Sequence, residues 1–191
     1  MKNILLAVSL TALTTSAFAA DLKPYIEGSV GYTNFEDNIK ITPGTSELEV
    51  KSDVNYSIEA GLKDVFFKGL RLSVSDTYMK GVEDKSTGET SYNKSNTNTF
   101  LANAYYDFDI GAALVPYVGV GIGGYKMNTA KDAEFAWQLK AGANYNINNN
   151  VYIGGRAAFT RLSGATPADA PTYSLEDFNS YSLNAVLGYN F

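Results

Sequence analysis

Val54-Asn55-Tyr56-Ser57-Ile58-Glu59-Ala60-Gly61-Leu62-Lys63 sets Val, Tyr, Ile, Ala and Leu in one row and Asn, Ser, Glu, Gly and Lys in the other. Side chains alternate across a β-strand, so a segment with this period offers one face to apolar surroundings and withholds the other. The same reading recurs further along, where Phe135, Trp137, Leu139, Ala141, Ala143, Tyr145 and Ile147 stand against Glu134, Ala136, Gln138, Lys140, Gly142, Asn144 and Asn146. A third window sets Tyr181, Leu183, Ala185, Leu187, Tyr189 and Phe191 against Ser180, Ser182, Asn184, Val186, Gly188 and Asn190. Weaker windows with the same period cover residues 25–35, 70–79, 97–108, 116–127 and 151–162. Helical periodicity is weak throughout. Eight windows, an even number, predict an all-β fold: an eight-stranded antiparallel up-and-down transmembrane barrel.

The connections support this by alternating in length. Residues 64–69, 109–115 and 146–150 are short, whereas 36–53, 81–96 and 163–177 are long, and 128–133 is the shortest of the long set. Short turns on the periplasmic side with longer loops outside is the pattern of outer-membrane barrels. Asp84-Lys85-Ser86-Thr87-Gly88-Glu89-Thr90 has the polar composition of a solvated loop tip.

Alternation alone does not say which row faces inward, because a soluble lipocalin-like barrel also alternates, with its apolar row inside. Three features favour lipid on the apolar side. The other row is rich in small residues, among them Gly119, Gly121, Gly123, Gly154 and Ala158, as a narrow lumen requires. Aromatics gather near the ends of the apolar row, at Tyr32, Tyr78, Phe108, Tyr145, Phe159, Tyr181 and Tyr189, where a lipid–water belt would place them. The pattern also runs to Phe191 without a disordered tail.

Composition bounds the function. Met1-Lys2-Asn3, an apolar run from Ile4 to Leu13, and Ser16-Ala17-Phe18-Ala19-Ala20 read as a secretory signal at 1–19, cut after Ala19, leaving a single barrel domain over 20–191. A membrane anchor is the weaker alternative, since the run is short for a spanning helix and no later stretch approaches the required length. Without Lys2 the chain holds 14 basic against 20 acidic residues, which argues against nucleic acid. Cysteine is absent, so stability has to come from sheet closure rather than disulfides. Histidine is absent too, which removes His-assisted serine and Asp-His hydrolysis and points away from an enzyme.

At its end the sequence becomes more specific. Leu187-Gly188-Tyr189-Asn190-Phe191 resembles the C-terminal strand of outer-membrane barrels, and Lys23-Pro24-Tyr25-Ile26-Glu27-Gly28-Ser29-Val30-Gly31-Tyr32 together with residues 104–108 and 116–124 is similar to the small porin-family barrels of Gram-negative bacteria related to OmpA, OmpX and the opacity proteins. The resemblance covers 20–191 and implies residence in the outer membrane, contact with lipid and lipopolysaccharide, and an assembly signal at Tyr189 and Phe191 read by the barrel-assembly machinery. The periplasmic peptidoglycan-binding domain of full-length OmpA has no counterpart here.

Several motifs need weighing. Gly119-Val120-Gly121-Ile122-Gly123-Gly124 matches a dinucleotide-binding glycine pattern, but Tyr125-Lys126-Met127-Asn128-Thr129 follows where a helix is needed. Carboxylates at Asp107 and Asp109, or Glu176 and Asp177, fit solvated turns better than acid–base chemistry. No cofactor or metal is expected. The inward row carries Glu27, Glu59, Lys63, Arg71, Asp107, Glu134, Lys140 and Arg156, from which we expect a lumen charge network of Glu27, Glu59, Arg71, Asp107, Lys140 and Arg156, with some members at the rims as the alternative. Asp76 falls on the lipid row, which leaves two alternatives open: a bulge near Ser75 that reverses the phase, or an Asp near the outer rim. Two functions remain: a surface-interaction protein acting through loops 36–53, 81–96 and 163–177, or a narrow pore for ions or small solutes. An enzyme and a soluble ligand carrier rank below both.

Overall fold

A computed structural model describes residues 23–35, 39–42, 47–48, 53–83, 94–127, 132–164, 174–175 and 177–191. The expected leader at 1–19 and its cleavage site, like the tips of the long loops, lie outside the described residues. Eight long strands make the barrel: β1 (Lys23–Phe35), β4 (Asp53–Lys63), β5 (Leu70–Glu83), β6 (Lys94–Asp107), β7 (Leu114–Met127), β8 (Glu134–Asn146), β9 (Val151–Leu162) and β11 (Phe178–Asn190). Each pairs antiparallel with its neighbours in the order β1-β11-β9-β8-β7-β6-β5-β4, and β4 returns to β1 to close the cylinder. Two short strands from the first long connection, β2 (Ile39–Thr42) and β3 (Glu47–Leu48), and one from the last, β10 (Ser174–Leu175), form a separate sheet in the order β10-β2-β3.

The barrel closes in a register that fixes which side each row faces. Tyr25 to Phe35 of β1 pair without interruption with Asn190 to Ser180 of β11, and Lys23 to Thr33 pair with Lys63 to Asp53 of β4. Ile26, Val30, Tyr56, Ile58, Val118, Val120, Ile122, Leu139, Leu183 and Leu187 face outward and exposed, while Glu27, Asn55, Glu59, Arg71, Asn103, Lys140 and Arg156 are buried inside. A globular protein would invert this arrangement; a barrel in hydrocarbon requires it. Aromatic rings collect at both ends of the outer wall. Trp137, Phe159 and Tyr181 stack at centroid distances of 5.6 and 5.2 Å toward the long loops, and Tyr106 with Phe108, like Tyr189 with Phe191, stack at 5.0 and 5.1 Å toward the short turns.

The bare inner row has a use beyond narrowness. Tyr25 lies opposite Gly61, Tyr105 opposite Gly119, Tyr117 opposite Gly142, and Tyr152 opposite Gly188. A Cβ added at Gly119 would stand 2.2 Å from the Tyr105 ring, and one at Gly188 2.0 Å from the Tyr152 ring. Each tyrosine therefore lies across a glycine of the next strand, and its hydroxyl is carried sideways into the lumen. The glycine run 119–124 sits inside β7, a continuous strand, and serves Tyr105 and Asn103 rather than a nucleotide.

Two strand details differ from the sequence reading, and a third decides between its alternatives. β5 extends to Glu83 and β6 starts at Lys94, so the connection at 81–96 is shorter than expected. The long connections 36–53 and 163–177 contain β2, β3 and β10, which at two to four residues are too short for alternation to register. No phase reversal occurs at Ser75: Ser73, Ser75 and Met79 are all buried, and the irregularity falls between Met79 and Val82. Asp76 thus stays on the outward row, opposite Ile58 and Phe100.

The short turns are tightly held. In the first, the Gly69 amide donates to Asp64 Oδ1 at 2.9 Å and Lys23 Nζ donates to Asp64 Oδ2 at 2.8 Å. Partial burial works against the charge, yet the Gly69 amide and the Lys23 ammonium hold the Asp64 carboxyl below the usual carboxylate range.

Methyl groups added at two glycines give opposite outcomes. Gly119→Ala pushes the Tyr105 ring off its seat and costs on the order of 1 to 3 kcal/mol, so the temperature at which the folded form disappears on a semi-native gel falls. Gly28→Ala, whose Cβ meets nothing within 4 Å, leaves that temperature unchanged.

Candidate functional site

The lumen is divided into three layers along its axis. From the short-turn end to its middle it is filled by charge. Glu59, only 1 % exposed, accepts hydrogen bonds from Tyr25 OH at 2.6 Å and Ser73 Oγ at 2.9 Å on Oε1, and from Tyr105 OH at 2.7 Å and Arg156 Nη1 at 3.3 Å on Oε2. A carboxylate removed from water needs this many donors to remain charged. Its donors come from β1, β5, β6 and β9, so a single side chain of β4 ties together five of the eight staves.

Arg156 is the second hub. Its Nη1 lies 3.0 Å from Glu27 Oε1 and 3.3 Å from Glu59 Oε2, and its Nη2 donates to Ser29 Oγ at 3.2 Å. Lys140 donates to Asn103 Oδ1 at 2.8 Å and to Tyr105 OH at 3.0 Å, with Glu59 Oε2 at 3.9 Å. Arg71, with no exposed surface, has Asp107 Oδ1 at 3.1 Å and Glu27 Oε2 at 3.7 Å. The rest of its charge rests on the faces of Tyr105, Tyr117 and Tyr25, at 4.2, 4.9 and 5.2 Å. Lys63 lies 4.4 Å over the Tyr152 ring, and the Tyr152 hydroxyl donates to Glu27 Oε2 at 3.1 Å.

The six residues expected inside, Glu27, Glu59, Arg71, Asp107, Lys140 and Arg156, therefore lie in one connected cluster, with Asp107 its most accessible member. Glu134 is separate from it, near the long-loop end beside Tyr125. Sequence reasoning missed the tyrosines. Tyr25, Tyr105, Tyr117 and Tyr152 share the alternation of Glu27, Asp107 and Arg156, a usable signal, but inward tyrosines look like misplaced lipid-facing residues until their glycine partners are known.

The middle layer is a small polar cavity of about 40 Å³ lined by Ser29, Thr33, Asn55, Ser57, Thr77, Thr99, Gln138, Thr160, Ser182 and Asn184, with Lys140 and Arg156 at its floor. That volume suits water rather than a solute. Above it, at the long-loop end, Phe35, Met79, Leu101, Tyr125, Ala136, Leu162 and Phe178 form an apolar cluster buried inside the cylinder. The Phe178 ring lies 6.1 Å from both Phe35 and Tyr125.

Comparison with known proteins agrees with this architecture. The profile of the outer membrane protein beta-barrel domain matches residues 5–191. Protein opa of Haemophilus influenzae is 25% identical over 100 residues, covering 47% of this chain and 76% of that one. Outer membrane protein PagN of Salmonella typhimurium is 30% identical over 77 residues, 32% of each chain, so the match spans about a third of that relative. Among solved structures, Neisserial surface protein A superposes with a TM-score of 0.64 at 15% identity, covering 88% of this chain and 97% of that one, and OprG from Pseudomonas aeruginosa with 0.60 at 12%, covering 88% and 95%. At such identities the structures share the fold.

Breaking a buried ion pair from one side leaves its partner charged and unpaired, at a cost on the order of 3 to 5 kcal/mol. Arg156→Met should therefore lower the unfolding temperature on a semi-native gel by far more than Arg161→Met, whose partner Asp177 is half exposed. Adding Glu59→Gln to Arg156→Met should cost less than the sum of the two single changes, because the second removes a charge the first has orphaned.

Proposed function

The chain belongs to the outer membrane protein β-barrel family, and on that premise we propose that its barrel is a closed, non-conducting pedestal that presents the long connections at the cell surface. The single observation that carries this reading is the double obstruction of the lumen among the described residues: an ion-pair network in one half and an apolar cluster across the other, with a water-sized cavity between. An eight-stranded cylinder is just wide enough for side chains to fill it, so these layers leave no continuous aqueous path.

With the interior occupied, contact with the surroundings falls to the connections at 36–53, 81–96 and 163–177. We infer that they meet host or other extracellular molecules; a structural neighbour carrying the name of a surface protein supports a role there. The apolar wall is solvated by outer-membrane lipid and lipopolysaccharide. Tyr189 and Phe191, whose rings stack at the end of β11, form the signal read by the assembly machinery after a leader at 1–19 is removed. No chemistry is assigned to the lumen charges; they stabilise the cylinder.

Planar-bilayer recordings test the pedestal directly. Purified protein should give no reproducible current steps; steps whose size changes with Glu59→Gln or Arg156→Met would overturn it in favour of a narrow channel. In whole cells, replacing residues 84–93 by a short Gly-Ser linker should reduce binding to host cells while leaving the heat-modifiable folded band intact.

A further inference from the structure

The short turns, which should be polar if water surrounds them, carry exposed apolar residues, at the tips of the first two and beside the Asn148-Asn149-Asn150 tip of the third. Phe66 is 78 % exposed in the first, Ile110 59 % in the second and Ile147 55 % in the third.

The backbone goes out of its way to place them. Phe66 has φ 64, a left-handed conformation that a bulky residue adopts only when its surroundings impose it. The imposition is visible: Val65 is buried and its amide donates to the Leu70 carbonyl at 3.0 Å, while Asp64 accepts from the Gly69 amide at 2.9 Å. With both ends of the turn fixed, Phe66 is left out of the barrel wall and exposed. In the second turn, Asp109 Oδ1 accepts from the amide of Gly111, whose φ of 72 completes the bend around Ile110.

The charges of these turns follow a matching rule. Across residues 64–69, 108–113 and 147–150 the only charged side chains are Asp64, Lys68 and Asp109. All three are paired, Asp64 with Lys23 at 2.8 Å and Lys68 with Asp109 at 2.6 Å. Exposed ion pairs contribute little in water, and here they leave the turns without net charge beside aromatic rings of a kind that collects at the lipid–water boundary. The apolar tips also continue the lipid-facing wall. The Phe67 ring lies 6.5 Å from Tyr106, which stacks edge-on against Phe108 at 5.0 Å.

We propose that the three short turns are membrane anchors, with Phe66, Phe67, Ile110 and Ile147 set into the headgroup and upper acyl region of the periplasmic leaflet. Their occupant is phospholipid, because the patch is continuous with the lipid-facing wall and, among the described residues of the three turns, every charged side chain is paired. The barrel is thereby fixed in height, its charged lumen layer level with the inner leaflet and its long connections toward the outside.

The chain has one tryptophan, Trp137, so W137F/F66W is a single-site depth probe. It is refolded into phosphatidylcholine vesicles whose acyl chains carry bromine either close to the headgroup or close to the chain end, and acrylamide is added as the aqueous quencher. The expected result is blue-shifted emission that loses most of its intensity to the shallow bromines, less to the deep ones and little to acrylamide. Emission at the wavelength of tryptophan in water, quenched by acrylamide and untouched by either brominated lipid, would overturn the proposal and leave the turns as a surface for a soluble partner. If W137F/F66W fails to give the heat-modifiable folded band, W137F/I110W decides by the same two outcomes.

Discussion

Hydrocarbon offers no partner to a backbone amide or carbonyl, and this constraint governs the rest of the molecule. Only a sheet that closes on itself satisfies every strand, and here closure is made by eleven consecutive pairs between β1 and β11. Once the cylinder is shut, the two-residue period sorts side chains into two solvents. The outer one is lipid, which accepts Ile58, Leu139 and Leu183; the inner one has to be built by the protein itself.

Building it is a problem of volume and charge together. The lumen has no room for bulk water, so Glu27, Glu59, Arg71, Lys140 and Arg156 must solvate one another. Tyrosines provide the missing donors, and the glycine opposite each one gives its ring somewhere to lie. Glu59 shows the result most clearly, since its four donors come from four other strands. The network therefore does for this barrel what a hydrophobic core does for a soluble domain. The apolar cluster around Phe178 closes the other end by ordinary packing.

The sequence carried most of the fold because a strict period of two, repeated eight times with alternating connection lengths, leaves few other architectures. Strand ends were less legible: Glu83 and Lys94 extend a hairpin through polar residues past the irregularity after Met79, where alternation no longer reports burial. The acidic and basic members of the lumen cluster could be read from their row, but their partners could not, because pairing depends on barrel stagger rather than spacing. Asp76 is a similar case. One row alone left a phase change and a carboxyl near the outer rim equally open, and the ladder, continuing through Asp76, leaves the carboxyl outward, one outward position from Tyr78. There an acid costs less than at mid-membrane.

Everything rests on the direction of the two rows, and site-directed spin labelling in bilayers measures it directly. Labels at Ile58 and Leu139 should be strongly relaxed by oxygen, which concentrates in hydrocarbon, while labels at Ser57 and Gln138 should show restricted motion and little oxygen access. The opposite pattern, with hydrocarbon contact at Ser57 and Gln138 and polar surroundings at Ile58 and Leu139, would contradict the account.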